Sequence, residues 1–312
     1  GFGPDYELPN MSAYNETCAS IGSIFWNYRM FLLSGDSKYF DIVEQTLYNG
    51  MADGVSLSGD HFFYPNPLES MGQHSRSEWF GCACCPSNVC RVIPSVPGYI
   101  YGQTDDRIYV NLYLQNSVTV DLQGEKIAFE QKTDFPWNGK VLLKINSASS
   151  KPFEMALRIP GFARNEVLPG NLYAFADNIK PEYSIKINGK KADFRLEKGY
   201  AILAKEWKTG DEIELVLPLE TRRVKADERI KADNGKTALM RGPLIYCAEW
   251  PDMPDKHVLN LVLPTSSKLK TEFKPGMLGG ITTISAAGKS LKKTEKGKLE
   301  ETPVEITAIP YF

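Results

Sequence analysis

No charge of one sign dominates this chain. Its 36 Lys and Arg side chains stand against 38 Asp and Glu, a net charge of -2, which leaves no electrostatic footprint for a nucleic acid. No run of about 18 apolar residues appears, so no membrane-spanning helix is expected. The opening residues Gly1-Phe2-Gly3-Pro4-Asp5 carry neither a basic nor an apolar region, so no signal peptide is read there. Both ends read as cut, the first lacking Met and the last stopping at Ile309-Pro310-Tyr311-Phe312 in a strand-like run. Histidine is scarce, with only His61, His74 and His257. Each reads as a surface or hydrogen-bonded core histidine, although His61 and His74 flank an aromatic loop and keep a claim on substrate. Cysteines are few and uneven: Cys18, then Cys82, Cys84, Cys85 and Cys90, then Cys247. A disulfide scaffold spreads its cysteines through a short chain, whereas this cluster points to metal or thiol chemistry. Cys90 and Cys247 read as buried small hydrophobes.

What is present suits a globular protein of two or three domains. The 312 residues are 42% hydrophobic and 24% charged, and one core rarely serves so long a chain. The first hundred residues read as helical. Apolar side chains recur with helical spacing at Ile21, Ile24, Phe25, Tyr28, Phe31 and Leu32. Gly35 ends that helix, and Asp36 or Ser37 caps a second one that ends near Gly50 or Gly54. A last helix is predicted to start at Pro86, a residue suited to the first helical position. From Arg107 the pattern becomes short strands, at Ile108–Leu114, Ser117–Val120, Val141–Ile145, Phe153–Ile159, Ser184–Ile187, Tyr200–Leu203 and Glu212–Leu217. Asn188-Gly189 marks a hairpin and Lys208-Thr209-Gly210-Asp211 a turn. Strands at this spacing predict an antiparallel sandwich. Arg222 to Asp227 reads as a break before further strands near Thr237–Tyr246, and the lysine-rich stretch Lys289 to Lys298 as a solvated loop.

The strongest chemical signal pairs Glu16-Thr17-Cys18 with Cys82-Ala83-Cys84-Cys85-Pro86. Zinc takes thiolate, imidazole and carboxylate ligands in tetrahedral sets. Within a regular helix Glu16 and Cys18 would point about 200° apart, so a shared metal requires the helix to start at or just after them. Cys84 and Cys85 would lie at a helix N-terminus, where unpaired N–H groups favour thiolate. Disulfides and a purely structural zinc remain open on spacing alone. The run Phe62-Phe63-Tyr64-Pro65-Asn66-Pro67-Leu68-Glu69 suits a sugar with apolar faces and hydroxyl edges, and equally an ordinary packed loop.

Several blocks together resemble the zinc-dependent β-L-arabinofuranosidases among the glycoside hydrolases. They are Asp5–Asn10, Tyr14–Ala19, Tyr64–Glu69, Trp79–Asn88, Arg241-Gly242-Pro243-Leu244 and Ala308–Tyr311, in the family's order. The resemblance implies an α+β multidomain chain: the C-terminal part of an (α/α)6 barrel over residues 1–104, a β-sandwich over 105–222, and a smaller second sandwich over 223–312. It implies zinc held by Glu16, Cys18, Cys84 and Cys85, Cys84 as nucleophile of a retaining mechanism, and Tyr64 in contact with the sugar. Cys82 matches a family cysteine near the metal and is not assigned as a ligand. The family's acid/base glutamate falls sixteen residues before Glu16, one position before Gly1, so the acid/base and the upstream barrel helices are expected outside this chain. An opened barrel would leave apolar surface uncovered. The expected partners are a plant-type glycan bearing β-linked L-arabinofuranose or a similar sugar, and a second copy of the chain through a sandwich face. Glycan work of that kind suggests a periplasmic or secreted setting. The alternatives are a related glycosidase for another β-linked sugar, a carbohydrate-binding module with structural zinc, and a disulfide-stapled interaction domain.

Overall fold

The computed structural model describes residues 3–254, 256–294 and 296–311. Helix α1 spans Thr17–Ser34 and stops at Gly35, whose φ of 63° is left-handed and whose N–H returns to Phe31 O at 2.7 Å. Helix α2 spans Lys38–Gln45 and runs on through a π-helical turn, Thr46–Met51, and a 3-10 turn, Ala52–Gly54. Asp36 accepts the Lys38 N–H at 3.0 Å. Helix α3 spans Cys84–Val92, two residues earlier than Pro86 suggested. Pro86 is therefore its third residue, still within the first turn where a missing N–H costs no helical bond. Cys90 is exposed rather than buried. The buried stripe of α3 runs through Cys85, Val89 and Val92, at helical spacing, and Cys90 lies off it.

One core joins Ile21, Ile24 and Phe31 of α1 with Phe40, Val43, Val89, Val92, Tyr109 and Tyr200. The outer side of α1 is also apolar: Trp26, Leu32 and Leu33 are 67%, 59% and 82% exposed. Among the described residues no helix is long and apolar enough to cross a membrane.

The following strands form two facing sheets. One orders Tyr101–Gln103, Arg107–Val110, Phe153–Arg158, Tyr200–Lys205 and Arg195–Glu197; the other orders Asn116–Leu122, Glu125–Thr133, Lys140–Ser147, Glu212–Val216, Ser184–Ile187 and Lys190–Lys191. Pairing is antiparallel except between Arg107–Val110 and Phe153–Arg158. Ile108, Val110, Met155 and Leu157 of the first sheet meet Ile127, Phe129, Val141, Leu143 and Ile145 of the second in one core. The hairpin at Asn188-Gly189 is as expected, with Ile187 opposite Lys190 and φ of 51° and 78° at the two turn residues.

Three readings change in the last part of the chain. The expected break is the strand Thr221–Ala226, so the boundary between 222 and 223 falls inside it. Arg222 can be buried there because its guanidinium is bonded to Asp177 and lies 3.6 Å from the Phe175 ring centroid. Half of the lysine-rich stretch belongs to the long strand Ile281–Lys293, paired with Leu299–Pro310; Lys289 forms an ion pair with Glu301 across the hairpin. Finally, the second sandwich is one curled eight-stranded sheet. Leu299–Pro310 pairs with Ile281–Lys293 along most of its length and with Leu244–Cys247 at its end, joining what would otherwise be two layers. Tyr173–Phe175, from the preceding region, adds to this sheet beside Thr221–Ala226.

Arg158, with no exposed surface, locks α2 to the sandwich. It pairs with Asp41 at 2.8 Å and with Glu44, and donates through Nε to Asn111 O at 2.6 Å.

Candidate metal centre

The chain reverses between extended and helical backbone at Glu16. Its φ and ψ of -71° and 134° are extended, and the helix begins at Thr17. Glu16 and Cys18 thereby escape the opposed directions that a continuous helix would impose. The loop carrying Tyr64 lies alongside this start. Thr17 donates its N–H to Tyr64 O at 3.2 Å and its hydroxyl to Phe63 O at 2.9 Å, and Phe63 N–H donates to Gly54 O at 3.0 Å. Gly54 has no room for a side chain, since a Cβ would come within 2.5 Å of Thr17 Cγ2.

Glu16, Cys18, Cys84 and Cys85 each offer one ligand atom, and the four atoms lie within 4.8 Å of one another. Cys18 and Cys85 Sγ are 3.4 Å apart, Cys84 and Cys85 Sγ 3.9 Å, and Glu16 Oε1 is 3.9 Å from Cys84 Sγ and 4.0 Å from Cys85 Sγ. Tetrahedral zinc with Zn–S bonds near 2.3 Å separates its sulfurs by about 3.8 Å, so the donor set and its spacing fit that ion. All six cysteines are free in this structure. Asn88, four residues after Cys84 on α3, donates its side-chain amide to Cys18 Sγ at 3.2 Å. The sequence reading passed over Asn88; its signal was the helical spacing from Cys84.

Electrostatics separates the three thiols. Burial pushes the Cys18 and Cys85 thiols up. Cys84 is held below the ordinary thiol value, first by a hydrogen bond from Tyr64. Tyr64 in turn is pushed up by that bond and by the nearby Glu16 charge. Cys85 is buried, while Cys84 is partly exposed. Cys82 is exposed and stands outside the four-residue group.

The remaining candidates have other partners. His74 stacks on Phe63 at 5.0 Å and its Nε2 bonds Pro65 O at 2.7 Å. His61 lies 2.8 Å from Asp60, and His257 packs against Trp250. Asn66 is bound by Asp53 and Tyr311, and Glu69 pairs with Lys236. This part of the aromatic loop therefore follows the packed-loop reading.

Comparison with known proteins bears on the same cluster. Residues 1–98 match the β-L-arabinofuranosidase GH127 catalytic domain, 107–219 the GH127 middle domain, and 221–312 the glycoside hydrolase family 127 C-terminal domain. The chain belongs to glycoside hydrolase family 127. A non-reducing end β-L-arabinofuranosidase of Bifidobacterium longum subsp. longum is 34% identical over 301 residues, 90% of this chain and 42% of that protein. A solved GH127 β-arabinofuranosidase is 50% identical with a TM-score of 0.96, covering 99% of this chain and 49% of its own. A GH127 β-L-arabinofuranosidase from Geobacillus stearothermophilus T6 is 36% identical with a TM-score of 0.88, covering 99% and 49%. The chain thus spans about half the length of the GH127 proteins it matches.

Proposed function

We propose that this chain is the C-terminal portion of a retaining glycosidase that releases β-linked L-arabinofuranose, or a similar sugar, from plant-type glycans. The observation that carries the reading is Cys84: a partly exposed thiol in a four-donor cluster, beside Tyr64. The placement of a partly exposed Cys84 beside Tyr64 favours an enzyme over a binding module. Glu16, Cys18, Cys84 and Cys85 would hold zinc, which when bound keeps its thiol ligands deprotonated.

The steps belong to the side chains. Tyr64 orients the sugar. Cys84 Sγ attacks the anomeric carbon; the S–C bond forms as the bond to the leaving oxygen breaks, and a carboxyl group gives that oxygen its proton. Water then attacks the same carbon, yields its proton to that carboxylate, and frees Cys84. The acid/base belongs to a preceding part of a longer protein. The remaining helices of an (α/α)6 barrel would come from there too, covering the apolar outer side of α1.

The test uses the longer protein and an aryl β-L-arabinofuranoside. About one zinc per chain is expected, and Cys84→Ser should cut turnover by at least about 10³-fold while the protein stays folded. Near-normal turnover in Cys84→Ser, or no metal in protein that is nonetheless active, would sink the mechanism.

A further inference from the structure

Asn66 stands two residues beyond Tyr64 and is gripped from both sides. Its side-chain amide donates to Asp53 Oδ2 at 2.7 Å and to the Tyr311 hydroxyl at 2.9 Å, and its N–H donates to Tyr14 O at 3.2 Å. Asp53 comes from the turn that follows α2, and Tyr311 from the end of the last sheet. Both anchors are themselves fixed. The Asp53 carbonyl accepts from Arg76 Nε at 3.1 Å and Nη2 at 2.9 Å, and the same guanidinium lies 4.5 Å from the Phe63 ring centroid. Tyr311 N–H donates to Ile245 O at 2.8 Å; Ile245 N–H donates to Asn49 Oδ1 at 2.8 Å, and Asn49 Nδ2 to Pro243 O at 2.9 Å. The last sheet is therefore fastened to the π-helical turn at Asn49 and reaches the Tyr64 loop through Tyr311.

A buried carboxyl is a costly way to hold a loop, because desolvation disfavours its charged form and an amide accepts the same bond. Asp53 is 2% exposed, and the loop that it holds is the one that presents Tyr64 to Cys84. We propose that Asp53 and Tyr311 are positioning residues for Tyr64, gripping Asn66 so that the last sheet fixes the backbone of the substrate-facing loop. This rests on the glycosidase reading, in which Tyr64 meets the sugar. It also gives work to two sequence blocks that the metal cluster leaves unused, Arg241-Gly242-Pro243-Leu244 and Ala308–Tyr311.

Two measurements on the longer protein test it. Hydrogen exchange at the amides of Phe63, Asn66 and Leu68 should become about tenfold faster in Tyr311→Phe and Asp53→Ala, stay near wild type in Asp53→Asn, and be unchanged elsewhere. In kinetics on the arabinofuranoside, Tyr311→Phe should raise KM by roughly fivefold with a smaller change in kcat, and should add nothing in a Tyr64→Phe background. Unchanged exchange at the three amides overturns the proposal, as do losses that simply add to those of Tyr64→Phe. If Asp53→Ala fails to fold, Tyr311→Phe carries both measurements alone. A wild-type protein that does not cleave the substrate removes the functional reading, and exchange then decides the loop inference by itself.

Discussion

Adjacent residues in the metal cluster differ sharply in setting. Cys85 points into the core stripe of α3 and is buried, while Cys84 remains partly exposed and is held below the ordinary thiol value chiefly by Tyr64. A single step along the helix thus separates a buried thiol from a partly exposed one. Asp53 shows how burial sets a titration. Its carboxyl is pushed up to about 6, chiefly by desolvation. Between roughly pH 4 and 6 the native state then holds more protons than the unfolded chain, so stability falls as pH rises through that window and levels off above it. Asp53→Asn keeps an acceptor for Asn66 and removes the charge. Relative to wild type it should therefore gain about 2 kcal/mol between pH 4.5 and pH 7, read by urea denaturation of both proteins at the two pH values. A difference that does not change with pH would show that Asp53 carries no desolvation cost. The gathering of Glu16, Cys18, Cys84 and Cys85 was legible because few residue types can bind a metal, whereas Tyr64 was singled out only by the family resemblance. Asp53 and Asn66 were not, since Asp and Asn in a polar stretch look alike whether buried or wet.

Elements behave differently from residues here. The sandwich strands were readable wherever one face is buried, as in Lys140–Ser147, whose exposed and buried residues alternate. The strand Lys270–Lys274 was missed because nearly all of it is exposed, so no apolar alternation marks it. Cross-strand pairing, including Lys289 with Glu301, supplied the order that the sequence hid. The same blindness covered Arg158, a charged residue at the end of the apolar strand Phe153–Arg158. Only the folded partner, α2, reveals that it faces inward onto Asp41 and Glu44. Arg158→Met would leave Glu44 buried without its cation and should cost about 3–5 kcal/mol. Adding Glu44→Gln to that variant should recover a large part of the loss. Denaturant midpoints and slopes of the two variants settle this, and a loss below about 1 kcal/mol would mean the pair contributes little net stability.

At the scale of the molecule, the order helices then sheets was plain from the change of pattern near Arg107. The curling of eight strands, one of them Tyr173–Phe175 from the preceding region, into one sheet was not, because strand order across a bend depends on pairings far apart in sequence. The outer side of α1 carries Trp26, Leu32 and Leu33 largely exposed, more apolar surface than a helix presents to water. In the longer protein the double substitution Trp26→Glu and Leu33→Glu should therefore lower stability by several kcal/mol and reduce soluble yield. A change within about 0.5 kcal/mol would mark that face as a free surface.

The grip on Asn66 also has a consequence in time. Its partner Tyr311 lies 245 residues further along the chain. At synthesis rates of roughly 5–20 residues per second, the Tyr64 loop waits about 10–50 s after its own emergence before its second anchor exists. The four metal donors, all within residues 16–85, can meet long before that. In a nascent chain the Glu16, Cys18, Cys84 and Cys85 side chains can therefore come together well before Asn66 gains its second anchor, which leaves the Tyr64 loop as the last part of this region to be fastened.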